Sequence, residues 1–433
     1  MYREKIEDLL NWKNSKDRTP LIIRGARQVG KTWLMKEFGS KYYKNVAYIN
    51  FDNNEKMKKL FELDYDIERI IQGLKIEANL DIEVENTLII FDEVQEVPKA
   101  LSSLKYFNEN ANEYHIIAAG SLLGVGLHEG TSFPVGKVDF LDLYPLNFYE
   151  FLLAIGKESI AKLIKRNEWN LIETFAANII ELLKEYYYIG GMPAVVSKFV
   201  ETKSYNESRK VQNNILKAYQ QDFPKHAPND IVPRIQMLWN NIPTQLAKEN
   251  KKFIYGLVRE GARAKEYEMA IAWLIDAGLV YKVNRVNKPN FPLNAYQDFA
   301  AFKLYILDVG LLSAMTNLSK EILLEGSEIF TEFKGVFAEQ YVLTELKSRT
   351  GNEIFYWSAE NATAEIDYII QHENKIIPIE VKAETNLKAK SLKQFIQKHE
   401  TKVNVRTSMA NYLKQENIIN IPLYSIGNLE EIL

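Results

Sequence analysis

Cysteine is absent from the 433 residues, which excludes disulfides, thiol nucleophiles and Cys-based zinc sites. Histidine is scarce: His115, His128, His226, His372 and His399 are too scattered for a metal-ligand spacing. No apolar run approaches the ~18–20 residues that a membrane span needs. The opening MYREKIEDLLNWKNSKDR is too charged for a secretory signal and has the pattern of an amphipathic helix. A cytoplasmic protein with no membrane partner is expected. Strong charge of one sign is also missing. A net charge of −3 argues against a chain coated in nucleic-acid-binding surface, so any contact with DNA must be local. Arginine is thin in one stretch, with only Arg166 between Arg69 and Arg209.

Against these absences stands LIIRGARQVGKTWLMKEFG, residues 21–39. Gly25, Gly30, Lys31 and Thr32 fill the phosphate-loop pattern G-x-x-x-x-G-K-[ST], with an apolar run before it and a helix-forming stretch after it. Glycines let backbone N–H groups turn toward phosphate oxygens, and a helix N-terminus adds its positive dipole. The candidate ATP site is therefore Gly25, Ala26, Arg27, Gln28, Val29, Gly30, Lys31, Thr32 and Trp33. Lys31 is expected to reach the β- and γ-phosphates, and Thr32 to ligate Mg²⁺.

A partner motif follows at NTLIIFDEV, residues 86–94. A continuous apolar strand ending in two carboxylates implies a task for those acids at its C-terminal edge. Asp92 is the expected second Mg²⁺ holder and Glu93 the group that polarises the attacking water. The next apolar run, HIIAAGS, ends in Ser121, which reads either as a γ-phosphate sensor or as part of a plain turn.

The first ~155 residues alternate strand runs (21–24, 46–51, 87–91, 115–119 and 137–143) with helical stretches, the rhythm of a doubly wound parallel sheet. GVGLHEGTSFPVGK, residues 124–137, reads as a loop near the nucleotide. YIGGMPAVV, residues 188–196, reads as a sharp turn at the edge of this α/β region. Residues 234–286 give two helices and then a strand, with Trp273, Leu274, Ala277, Leu279 and Val280 at core spacing and Gly278 ending the second helix. This resembles a winged helix; a protein-packing module is the other reading.

The last ~120 residues carry a second constellation: Glu339 in a helical stretch, Asp367 on AEIDYIIQ, and Glu380 and Lys382 on NKIIPIEVKA. Two carboxylates on adjacent strands, Asp367 and Glu380, can hold a divalent metal, and Lys382 can position or deprotonate a water. Glu-x-Lys puts both polar side chains on one strand face. The order is that of the PD-(D/E)XK nuclease core, either catalytically active or kept as a structural or binding relic. A lysine-rich stretch after it forms a local basic patch.

RGARQVGKT, LIIFDEVQ, AAGSLLG, LDLYPLNFYEFL, YYIGGMPAVV, FKLYILDVGLL, FAEQYVLTEL and IIPIEVKA together resemble the bacterial and archaeal AAA-type ATPases whose C-terminal half is a conserved domain of unknown function. The resemblance spans the chain and implies ATP binding. It implies an α/β protein: an AAA-type P-loop core over residues 1–200, a helical and winged-helix-like domain over 201–300, and a nuclease-like α/β domain over 301–433. The family tends to show Gly-Arg where this chain has Gly136-Lys137. Lysine lacks the planar fork of an arginine finger, so either hydrolysis is slow or an arginine comes from elsewhere, Arg259 and Arg263 being candidates for completing the site by domain closure or from a neighbouring subunit of a homo-oligomer. Two functions stay open: an ATP-driven enzyme acting on nucleic acid, and a regulatory or signalling ATPase whose C-terminal half only binds partners.

Overall fold

In the computed structural model, which describes residues 1–120, 133–248, 251–325, 331–359, 364–385 and 387–433, Leu21–Arg24 forms strand β1 of a five-stranded parallel sheet. The other strands are β2 (Asn45–Asn50), β3 (Thr87–Asp92), β4 (His115–Ala119) and β5 (Asp139–Asp142), in the order β2-β3-β4-β1-β5. All five fall within a residue or two of the runs expected from the sequence. The unbroken apolar runs within β3 and β4, buried at every position, follow from cover on both faces. That cover comes from α1 (Lys5–Asn14), α2 (Lys31–Tyr42), α3 (Glu55–Leu63), α4 (Ile67–Ala78) and α5 (Pro98–Asn110). One core contains Phe51, Phe61 and Phe91, which meet edge-to-face with ring centres 5.3–5.7 Å apart.

This first compact unit comprises residues 2–144 with 276–278; the second holds 145–275 and 279–433. The division falls at 144/145, not near residue 200. The parallel sheet is complete at Asp142, and the helices after it pack among themselves and with later elements of the second unit. These helices are α6 (Phe148–Ala154), α7 (Glu158–Lys165), α8 (Trp169–Thr174), α9 (Ala176–Ile189), α10 (Pro193–Thr202), α11 (Tyr205–His226), α12 (Val232–Leu246) and α13 (Ala264–Asp276).

The Gly190-Gly191 turn also belongs to the second unit and is buried rather than at an edge. Gly191 N–H donates to the Asp308 carboxylate at 2.6 Å, and its carbonyl accepts from Leu146 N–H at 2.7 Å. A Cβ on Gly191 would lie 1.9 Å from the Leu146 carbonyl oxygen, so no larger residue fits. Asp308 caps the helix α14 (Val309–Met315) through Leu311 N–H, and burial pushes its carboxyl up to about 6.

An eight-stranded sheet dominates the rest. Its strands are β6 (Val280–Val286), β7 (Gln297–Ile306), β8 (Ile354–Ser358), β9 (Glu365–His372), β10 (Lys375–Val381), β11 (Asn404–Ser408), β12 (Leu413–Gln415) and β13 (Ile418–Pro422). Their order is β12-β13-β11-β10-β9-β8-β6-β7. The helices of this region are α15 (Lys320–Glu325), α16 (Thr331–Arg349), α17 (Lys390–His399) and α18 (Leu429–Ile432). Strands β8, β9 and β10 form an antiparallel meander after α16, and α17 then crosses to β11, which runs parallel to β10.

Helices α12 and α13 do run into a hairpin, β6–β7, as the winged-helix pattern requires. Yet β6 also pairs in parallel with β8, so the hairpin is the edge of the large sheet and not a free wing. A boundary at residue 300 would cut through β7, because local pattern does not reveal lateral pairing.

Candidate functional site

Register in the first unit brings the two acidic and phosphate-loop motifs to one sheet edge. Asp92 on β3 is level with Ala119 on β4, which is level with Ile23 on β1, one residue short of the loop. The loop takes the backbone shape its glycines permit: Gly25 has φ +145°, Gln28 +66° and Gly30 +97°, and Gly30 directly precedes α2. A Cβ on Gly25 would stand 2.2 Å from the Leu143 carbonyl oxygen, so the close approach of β5's exit demands glycine there.

Lys31 opens α2 and folds back over the loop. Its ammonium donates to the carbonyls of Gly25 (2.8 Å) and Ala26 (2.9 Å). Burial pulls its pKa down to about 8, against the upward pull of Glu93 and Asp92. Thr32 Oγ1 donates to Asp92 Oδ2 at 2.8 Å, which joins the loop to the acidic strand. The same carboxylate oxygen accepts from Tyr48 Oη at 2.9 Å. Glu93 follows in the left-handed region (φ +50°), and its Oε2 accepts from Gln95 Nε2 at 2.7 Å. Trp33 is exposed on the first turn of the helix.

Tyr48 and Gln95 were not singled out from the sequence. Tyr48 sits two residues from the end of β2, beside β3, a neighbour relation that strand order alone reveals. Gln95 lies in the short 3₁₀ turn Val94–Glu96 directly after the acids, and its nearness in sequence was a usable signal. Ser121 and residues 124–132 of the expected loop lie outside the described residues.

Lys137 does not stand where a finger for its own chain's phosphates would. It precedes β5, whose Asp139 is level with Leu21 at the start of β1, and its Nζ pairs with Glu109 at 3.1 Å. The phosphate loop leaves the opposite end of β1, a strand length of about 13 Å away at ~3.3 Å per residue.

In the second unit the four residues expected to form one nuclease-like site belong to two charge clusters. Glu339 on α16 is buried, with Oε1 on Lys251 Nζ at 2.7 Å and Oε2 accepting from Tyr305 Oη at 3.1 Å. Asp367 on β9 shares that neighbourhood. Its carboxyl is pushed up by burial and by the Glu339 charge, while Lys303 and Lys251 pull the other way. The register of β8 and β9 slips between Phe355 and Trp357, with one extra residue on β9 at this point. Asp367 Oδ2 accepts from Val381 N–H at 2.8 Å.

Glu380, by contrast, is buried on β10 with Oε1 on Lys382 Nζ at 2.8 Å, and it lies opposite Arg406 of β11 in register. Its other oxygen, Oε2, is buried without a hydrogen-bond partner. One open oxygen is a single ligand, short of the several oxygens a divalent ion needs. Among the described residues no three His, Asp or Glu side chains come together as a metal would require. These residues do not fit the metal site expected at Asp367 and Glu380. The sequence pattern placed the acids on adjacent strands but carried no information about the lysines that reach them. Lys303, alone among apolar neighbours in AFKLYIL, was the readable signal of a buried charge.

Comparison with known proteins matches three segments of the chain. Residues 17–152 match the model of an AAA domain, and this segment carries the phosphate-loop and acidic-strand motifs. Residues 180–322 match a domain of unknown function, DUF8612, and residues 334–426 another, DUF4143. No curated protein matches the chain. Among solved structures, a Walker-type ATPase of Pyrococcus abyssi is similar over 72% of this chain and 95% of its own, at 13% identity and a TM-score of 0.46. The Aeropyrum pernix Orc1 protein in complex with DNA is similar over 73% and 93%, at 11% identity and 0.28. The Thermotoga maritima RuvB Holliday junction branch migration motor is similar over 65% and 89%, at 14% identity and 0.28. No helix among the described residues is long and apolar enough to cross a membrane.

Proposed function

We propose that the first unit binds ATP with Mg²⁺ and hydrolyses it, and that ATP turnover drives a switch read out through the second unit. The carrying observation is the 2.8 Å contact between Thr32 Oγ1 and Asp92 Oδ2 beneath a left-handed Gly30. It brings a hard-oxygen pair to the mouth of an N–H-lined loop, the donor set Mg²⁺ prefers. Residues 25–33 cradle the phosphates, Lys31 exchanges its two carbonyl partners for phosphate oxygens, and Thr32 and Asp92 hold Mg²⁺. A bound Mg²⁺ would neutralise charge on the phosphate oxygens. Glu93 accepts the hydrogen of the attacking water, and Gln95 orients that carboxylate. Ser121 is the candidate for sensing the γ-phosphate from the next strand.

For residues 301–433 the α16-β8-β9-β10-α17-β11 order supports a nuclease-like fold. The two internal charge clusters favour its use as a partner-binding module, with a segment of DNA as one possible partner beside the α17 lysines. Steady-state ATP hydrolysis with Mg²⁺, with and without single- or double-stranded DNA, tests the reading. Turnover abolished by Lys31→Ala supports the ATPase; no turnover in any condition overturns it. DNA stimulation would favour action on nucleic acid, and indifference to DNA a regulatory role in the cytoplasm.

A further inference from the structure

The carboxylates beneath α16 already have a cation. Lys303, on β7, has a fully buried side chain whose ammonium bonds Glu365 and lies 4.0 Å from Glu339 Oε2. It also sits 4.8 Å from the centre of the Tyr356 ring, whose electron-rich face suits a cation. Lys251 takes the other oxygen of Glu339 from a side chain only 12% exposed. Glu339 therefore has both oxygens engaged, by an ammonium and by the Tyr305 hydroxyl.

We propose that the Lys303 ammonium is the resident cation of the Glu339–Glu365 pair, with Asp367 in the same neighbourhood, so that this domain works without a metal. A divalent ion needs carboxylate oxygens at ~2.0–2.5 Å in a shell of six or more. To reach Glu339 here it would have to displace the Lys251 ammonium and the Tyr305 hydroxyl and sit close to the buried Lys303 charge, a desolvated cation it would repel. The Lys303 ammonium instead bonds Glu365 directly and faces Glu339 Oε2 at 4.0 Å, which ties β7 to β9 beside α16. The three acids are committed to holding strands together, and binding by this domain falls to its surface. This holds whether or not the first unit hydrolyses ATP.

The test uses the full-length protein without nucleotide. Mn²⁺ binding is followed by the electron paramagnetic resonance of the free ion, and thermal unfolding is recorded with and without Mn²⁺. Wild type should show no Mn²⁺ uptake that Asp367→Asn removes. Lys303→Met should melt roughly 10 °C lower, as expected for buried acids stripped of their partner, and Mn²⁺ should restore part of that loss. Lys303→Arg keeps the charge and should melt close to wild type. If Lys303→Met proves insoluble while Lys303→Arg folds, the countercharge role is supported. Wild-type Mn²⁺ uptake lost in Asp367→Asn but kept in Asp92→Asn would overturn the proposal. So would a Lys303→Met protein as stable as wild type.

Discussion

Lys31 holds two loop carbonyls in a site where its ammonium is almost wholly out of water. Backbone amides carry only partial charge, so an ATP tail needs the full charge of this ammonium at the loop. Lys31→Ala should lower ATP affinity by roughly 10–100-fold, the range for a lost hydrogen bond between charged groups. Calorimetry on both proteins checks this, and equal affinities would remove the loop as the binding site. Glu93→Gln keeps the shape but not the basicity, so ATP should bind and persist while turnover falls by roughly 100-fold or more. Gln95→Leu removes the donor at 2.7 Å from Glu93 Oε2. Turnover should then fall at unchanged ATP affinity, and a variant with wild-type kcat would show that the contact is incidental. At this scale the sequence was most legible where chemistry restricts residue type. A glycine-rich loop with Lys-Thr, and two acids after four apolar residues, admit few other readings. Tyr48, Lys251 and Lys303 escaped because their importance comes from what the fold puts beside them.

Strands and helix ends were legible for a related reason: each is decided over a few neighbouring residues. Strands β1, β3 and β4 were marked by apolar runs, and Gly278, at φ +72°, ends α13 as its position in the sequence indicated. Pairing between elements was not legible. That β6 joins β8, or that Asp308 closes on Gly191, depends on residues more than 60 positions apart. The packing of the first unit also makes a titratable junction at β4. His115 Nδ1 is 2.6 Å from Tyr43 Oη at the strand's start, and burial, with Arg18 and Lys13 nearby, pulls its pKa down to about 4. Unfolded, the same imidazole titrates near 6.5. Between about pH 6.5 and 4 the unfolded chain therefore binds a proton that the folded one refuses, and stability falls as pH drops through that window. Above it the contribution is fully present. Urea unfolding at pH 7 and pH 5 should show a loss for wild type that shrinks in His115→Phe. An equal loss in both proteins would assign the acid sensitivity to other groups.

Across the whole molecule, the open question is what supplies positive charge to the far side of the γ-phosphate. Lys137 is about a strand length from its own chain's loop and is tied to Glu109. It cannot serve that loop without the sheet coming apart, whereas it lies on an edge that a neighbouring copy's site could meet. If a second copy supplies it, hydrolysis becomes a property of the assembly, and specific activity should rise with protein concentration in the presence of ATP. Two defective variants then make a decisive pair. Lys137→Ala keeps an intact phosphate loop and Glu93 but offers its neighbour nothing. Glu93→Gln has no base of its own yet still presents Lys137. Each alone should be slow, and an equimolar mixture should recover part of the wild-type rate, because the first variant's sites are completed by the second variant's lysines. A Lys137→Ala protein with wild-type turnover would show that the lysine has no catalytic part. A mixture no faster than the average of its components would confine each site to its own chain.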